Sequence, residues 1–271
     1  MSKYSWYISM AQDLYHFAPR ALYRLLFPLH DRNSGMVQAQ YDRRYAQALA
    51  AFKDHTPTLE EYIFGTNTQP EWMLVDRRIQ WTTYASAYKA FLPELEKYLA
   101  PYLAQAQPTI VEYGCGNGRN LLYLKSRYPH IRCIGIELSP IGVALAREAS
   151  QALGLPVEFI QADLTASATL DLSATIAYSC FSFEQMPRTF IEVAKAMAKA
   201  SHGPIVLFEP VPELYPWSVR GIISRARAIV IDHVRNVLST LKAHGFSIER
   251  AGRLGMGNPY TDATVVVAHI D

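Results

Sequence analysis

The chain has 271 residues, half of them hydrophobic, and a formal net charge of +2 at pH 7. That length holds one large domain or one domain with an appendage, and the apolar fraction supports a sizeable core. Lys and Arg are scattered without a basic run, which argues against a nucleic-acid groove. No CxxC or His-x-x-x-His pair marks a metal site, and no apolar stretch approaches the ~20 residues of a membrane span. Cys115, Cys133 and Cys180 form no close pair. Reduced thiols are expected, and with no secretory pattern at the start, a cytosolic location.

Residues 1 to about 105 read as helical and are rich in Tyr and Trp. Leu14, Phe17, Ala21, Leu22 and Leu25 keep helical spacing, with Pro19 starting a new helix. A turn is predicted at Asp31–Gly35, then a helix from Met36 to Phe52. Thr58 with Glu61 forms a capping-box signature. Gly65 to Pro70 reads as a loop, followed by a long helical pattern to Tyr102 that Pro93 and Pro101 should break.

From residue 106 the pattern alternates strand and helix. Predicted strands are Thr109–Tyr113, Cys133–Glu137, Val157–Leu164, Ser173–Cys180, Pro204–Pro210, Phe246–Arg250 and Thr264–Ile270. Helices are predicted at Leu121–Tyr128, Ile141–Leu153, Phe183–Ala200 and, as one long piece, 217–244. Alternating βα units imply an α/β fold, a mostly parallel sheet with helices on both faces.

The first of these strands runs into Glu112-Tyr113-Gly114-Cys115-Gly116-Asn117-Gly118. Glycines let the backbone approach a ligand closely, and the following helix N-terminus offers partial positive charge. A dinucleotide fingerprint would read G-x-G-x-x-G and a P-loop would need a following Lys-Ser or Lys-Thr; neither is present. The carboxylate of Glu112 would repel a pyrophosphate and suits a ligand carrying an ammonium group.

The pattern E-x-G-x-G-x-G, followed by Glu137 and Asp163 at the ends of the next two strands, resembles the class I S-adenosylmethionine (SAM) methyltransferases. The resemblance covers roughly residues 105–271. It implies a Rossmann-like, seven-stranded sheet whose last strand is antiparallel, with a helical N-terminal cap over residues 1–105 and the SAM-binding domain over 106–271. It also implies SAM as the cofactor, with Glu112, Gly114, Gly116 and Gly118 in the loop, Glu137 and Leu138 at the ribose, and Asp163 and Leu164 at the adenine. Ser179 follows as a further cofactor-side residue.

Chemistry is expected beyond the fourth strand of this series. Tyr178 ends it and is the first candidate for an aromatic face against the sulfonium, and the loop carrying Glu184 lies next to the methyl group in the family. Glu184 could be a base, bind a substrate amine, or be a helix-start acid favoured by the dipole. Glu209 sits at the tip of the fifth strand, where open α/β sheets face their ligand. Tyr41 and Tyr45 share a helix face and could cover a sulfonium by cation–π attraction, or merely pack. Asp232, Arg235 and Asn236 in the late helix could line a pocket or face solvent. The expected activity is methyl transfer to a small molecule, without nucleic-acid or membrane partners. Two alternatives are open: a SAM cyclase of the azetidine-2-carboxylate synthase type, releasing methylthioadenosine, and a non-catalytic SAM-binding or partner-binding protein.

Overall fold

A computed structural model describes residues 33–165 and 170–270, together with Pro19, Leu22, Tyr23 and Leu26. Leu14, Phe17, Ala21 and Leu25, and the start of the turn at Asp31 and Arg32, lie outside the described residues. The strands are β1 Pro70–Val75, β2 Arg78–Thr83, β3 Thr109–Tyr113, β4 Arg132–Glu137, β5 Glu158–Gln161, β6 Ile176–Cys180, β7 Ile205–Phe208, β8 Phe246–Asn258 and β9 Thr261–Ile270. The helices are α1 Ser34–Asp54, α2 Leu59–Phe64, α3 Tyr84–Leu103, α4 Arg119–Arg127, α5 Pro140–Ala152, α6 Phe190–Ala200, α7 Val219–Val230 and α8 Val237–Ala243.

All nine strands join one sheet in the order β2-β1-β8-β9-β7-β6-β3-β4-β5. Pairs β3–β4, β4–β5, β3–β6 and β6–β7 are parallel, while β9 runs antiparallel to both β7 and β8. The seven strands β3 to β9 thus form the mostly parallel sheet with one antiparallel strand that the resemblance implies. Chain order reverses at β3, flanked by β4 and β6, so a crevice opens beyond their carboxyl ends. The parallel strands are apolar on both faces because helices cover both. Ile110, Tyr178, Val206 and Phe208 pack with α3, α4 and α5; Val111, Ala177, Ile205 and Leu207 pack with α6 and α8.

The region before β3 departs from the sequence reading. Residues 70–83 form a β-hairpin that extends the sheet to nine strands, pairing through Leu74 and Gly257 with β8. Its turn places Asp76 and Arg77 at positive φ, 49° and 62°. Such a turn is usually signalled by Asn-Gly, which is absent here. Trp72 faces Trp81 across the pair, with ring centroids 5.1 Å apart.

Helix α3 runs unbroken through Pro93 and Pro101. Both prolines are exposed, so the carbonyls they leave unpaired turn towards water. A mid-helix proline costs ~3 kcal/mol. Burial of Phe91, Leu92, Leu95, Leu99 and Leu103 on the same helix offsets this, at ~1.5–3 kcal/mol per side chain. Two other predicted helices are divided. A 3₁₀ turn at Phe183–Gln185 precedes α6. The stretch 217–244 breaks between α7 and α8, where Asp232 has φ 54°. Elsewhere the reading holds: Thr58 and Glu61 make the capping box of α2, and α1 spans the helix expected from Met36.

Candidate active site

Beyond β3, β4 and β6 lies a cavity of about 1540 Å³, closed on its far side by α1, α2 and α3. Its floor is the loop from Gly114 to Asn117. Gly114, Gly116 and Gly118 have φ of 76°, 58° and 74°, where a side chain would be strained. Space forbids one as well. A Cβ on Gly118 would stand 2.5 Å from the Phe159 ring, and one on Gly116 2.6 Å from the Tyr45 hydroxyl. The cradle is therefore shaped by backbone, with α4 starting directly behind it.

Two carboxylates border this cradle. Glu137 ends β4; its Oε2 accepts from the Gly116 amide at 2.9 Å and its Oε1 from the Ser139 amide at 2.8 Å. Burial raises its pKa, and these amides hold the rise back. Glu112 is buried on β3, where the Asn120 side-chain amide donates to its Oε1 at 2.6 Å. Its Oε2 is buried with no hydrogen-bond partner. Burial pushes this carboxyl up to about 8, against the pull of Asn120 and the nearby Tyr178 hydroxyl. That hydroxyl comes near Glu112 without forming a hydrogen bond and is itself unpartnered.

Of the residues singled out in the sequence, the cavity collects Tyr41, Tyr45, Glu112, Gly114, Gly116, Glu137, Leu138, Asp163, Leu164 and Glu184. Asp163 is oriented by the backbone and hydroxyl of Thr165, at 2.8 and 2.7 Å. Tyr41 and Tyr45 stand together on α1, centroids 5.7 Å apart, and the Tyr41 hydroxyl accepts from Gln185. Tyr178, Ser179, Glu209 and Gly118 do not line it. Tyr178 is fully buried against Phe208, beside its cross-strand partner Glu112 rather than open to a ligand. Glu209 points back into the protein, where its carboxylate accepts from the Ser182 amide at 3.0 Å and its carbonyl from the Thr264 hydroxyl at 2.6 Å. Its observed part is to hold the loop after β6. Asp232, Arg235 and Asn236 also stay off the cavity wall, although their neighbours Ile231 and His233 reach it.

Sequence reasoning passed over Arg119, Asn120, Tyr84 and Tyr88. The Tyr88 hydroxyl donates to Asn120 Oδ1, and Asn120 in turn donates to Glu112. Arg119 stands over the Tyr88 ring, 3.9 Å from its centroid, and donates to the Tyr84 hydroxyl. One signal was present: a cation in the first turn of a helix opposes the dipole and needs a reason. Among the described residues no group of three or more His, Cys, Asp or Glu could hold a metal ion. No helix among them is long and apolar enough to cross a membrane.

Residues 110–201 match the family model described as "Methyltransferase domain". The demethylmenaquinone methyltransferase of Thermus thermophilus is 29% identical over 114 residues, covering 41% of this chain and 52% of the relative. The chain thus spans about half the length of that relative. Among solved structures, magnesium protoporphyrin IX methyltransferase from Synechocystis PCC 6803 with bound SAH superposes with a TM-score of 0.59 at 12% identity, covering 88% of this chain and 100% of that one. The cyclase SpnF superposes with a TM-score of 0.60 at 14% identity, covering 89% and 97%. At such identities the likeness speaks for the fold, and the domain match concerns residues 110–201. Residues 110–201 are thus similar to a methyltransferase domain, and the chain shares the Rossmann-like fold of solved methyltransferases.

Proposed function

We propose that this protein is a SAM-dependent methyltransferase acting on a small organic acceptor. The observation that carries the reading is the cavity. It lies at the reversal point of the sheet, has a glycine cradle and two strand-end carboxylates on one side, and has an aromatic cap on the other. Its volume of about 1540 Å³ exceeds the ~300–1,000 Å³ usual for one small ligand, which supports room for a cofactor and an acceptor together.

The residues present fit SAM. Glu112 Oε2, buried and unpartnered, suits the methionine ammonium. Glu137 suits the ribose hydroxyls, and Asp163 with Leu164 the adenine. Close approach at Gly114 and Gly116 requires the missing side chains. When bound, SAM supplies an electrophilic methyl group on a sulfonium, so the protein's part is to orient and desolvate. Tyr41 and Tyr45 line the cavity from α1 and could face a cation. Phe64, Tyr84, Tyr88, Phe91 and Phe181 give the acceptor side an aromatic wall that excludes water. Glu184 on that wall is the carboxylate placed to take a proton from an acceptor or to hold its amine.

Incubating the protein with SAM alone, then with pools of small acceptors, and identifying products by mass spectrometry tests this. Methylated acceptor plus S-adenosylhomocysteine supports the reading. Methylthioadenosine with a cyclic amino acid from SAM alone would replace it with cyclisation. Tight SAM binding with no product from any pool would replace it with sensing.

A further inference from the structure

Arg119 is the first residue of α4, directly behind the glycine cradle, and it lines the cavity. Its guanidinium lies 3.9 Å from the centroid of Tyr88 and 5.3 Å from that of Tyr84. Those two rings are stacked, 5.8 Å apart and 13° from parallel. The Tyr84 hydroxyl accepts one of its hydrogen bonds, and this is its single hydrogen-bond partner among the described residues. No carboxylate of the described residues comes within ion-pair distance. Asp262, by contrast, draws in both Arg220 and Arg253, at 3.1 and 3.4 Å. Glu112 borders the same cavity and feels the charge of Arg119, yet it is bonded by Asn120 and forms no ion pair with Arg119.

A guanidinium presents five N–H donors in a planar fork. Contact with a ring face leaves the edge of the fork available, and Arg119 lines the cavity. The chain has placed this cation where the helix dipole disfavours it and has fixed it with two tyrosines. An arrangement that holds a cation without neutralising it is preorganised for an anion. The fork matches a carboxylate, which it can meet bidentately. A phosphate dianion would need a second cation at the same point, and it would meet Glu112 nearby.

We propose that Arg119 is a carboxylate-binding residue of this cavity. This rests on the methyltransferase reading above and adds to it a ligand chemistry. The carboxylate has two possible sources: the amino-acid end of the cofactor, or an acceptor that is itself an organic acid. In the first, Arg119 and Glu112 together read a zwitterion; in the second, Arg119 selects the acceptor.

Calorimetry on the full chain and on Arg119→Gln separates the sources. The probes are S-adenosylhomocysteine, its decarboxylated analogue, methylthioadenosine, and benzoate with and without S-adenosylhomocysteine. If the cofactor supplies the carboxylate, Arg119→Gln weakens S-adenosylhomocysteine by about tenfold or more and leaves the two adenosyl ligands lacking a carboxylate unchanged. If the acceptor supplies it, S-adenosylhomocysteine is unaffected. Benzoate then binds the unmodified protein, benzamide does not, and Arg119→Gln abolishes benzoate binding. Arg119→Lys keeps the charge without the fork and should show the same selective loss in smaller degree. It serves alone if Arg119→Gln fails to fold. Equal losses for every adenosyl ligand, or no change for any probe, would overturn the assignment. Failure of the unmodified protein to bind any adenosyl ligand would instead sink the methyltransferase reading, and the benzoate arm would still report on Arg119.

Discussion

On the sheet side of the cavity, Glu137 is held by the backbone amides of Gly116 and Ser139, and the loop itself by three glycines at positive φ. On the cap side, Tyr41 meets Gln185, Asp42 meets Ser139, and Ser34 meets Thr165, in each case through side chains. Tyr62 reaches the carbonyl of Asn117 at 2.7 Å. The sheet side is therefore set by main-chain geometry that no single side chain controls. The cap is pinned by discrete contacts, each worth ~0.5–1.5 kcal/mol. Substitutions on the two sides should differ in kind: collapse or cofactor loss on one, graded effects on the other.

The largest effect is expected from Gly118→Ala. The new Cβ would meet Phe159 ring carbons at 2.5 and 2.6 Å and adopt a positive φ. Strain and overpacking together should destabilise the protein by roughly 2–4 kcal/mol, lowering its melting temperature by roughly 5–15 °C. An unchanged melting curve would show that the cradle is not packed as described.

Next comes Glu137→Ala, which removes an acceptor from the loop and, in the proposed function, from the ribose of the ligand. SAM affinity should fall at least about tenfold by calorimetry. Unaltered affinity would detach Glu137 from the cofactor.

Glu112 makes a smaller but directional test. Its folded pKa of about 8 stands above the ordinary 4.5, so the free protein holds this proton at pH 7. The stabilising share of that proton is complete below pH 4.5 and is lost as pH rises through about 8. Glu112→Gln should then melt like the parent protein at pH 4 and higher than it at pH 9. If Glu112 receives the ammonium as a carboxylate, S-adenosylhomocysteine binding at pH 7 should release protons in the parent protein. In Glu112→Gln the release should vanish. Buffers of different ionisation enthalpy read this directly, and equal proton release in both proteins would remove the role.

On the cap, Tyr41→Phe removes one hydrogen bond to Gln185. A loss of a few-fold in ligand affinity with little change in melting is expected. A collapse of turnover with binding intact would instead give the hydroxyl a chemical part.

Tyr178→Phe should do least. It deletes a buried hydroxyl that has no partner, so stability should hold or rise slightly, and SAM binding should stay. A marked loss of SAM affinity would bring Tyr178 back into the site.

The same division governs what could be read before the structure. Strand-end acids and the glycine loop are local: β-branched runs, a turn needing positive φ and a helix start all follow one another in the chain. So Glu112, Gly114, Gly116, Glu137 and Asp163 were found together, and so were they assembled. Tyr178 and Glu209 occupy the same kind of position, at or just beyond a strand end, and turn away from the cavity. Which way such a side chain faces depends on what packs against it: Phe208 for Tyr178, the Ser182 amide for Glu209.

The hairpin at residues 70–83 escaped because its turn is Asp76-Arg77. Those residues accept positive φ only because tertiary contacts hold them, the Arg77 amide bonding to the Gly255 carbonyl at 2.9 Å. The prolines of α3 misled for a related reason, since burial along one face outweighs a broken helical bond. Arg119 was visible only as a cation at the wrong end of a helix. Its purpose depends on Tyr84 and Tyr88, which arrive from a helix more than thirty residues earlier, and on its making no ion pair among the described residues. Short-range pattern thus determined the sheet and the cofactor cradle, because backbone conformation is chosen locally. The direction of each buried side chain, the hairpin and the aromatic wall were decided by the tertiary structure, because packing and charge compensation are relations between distant parts of the chain.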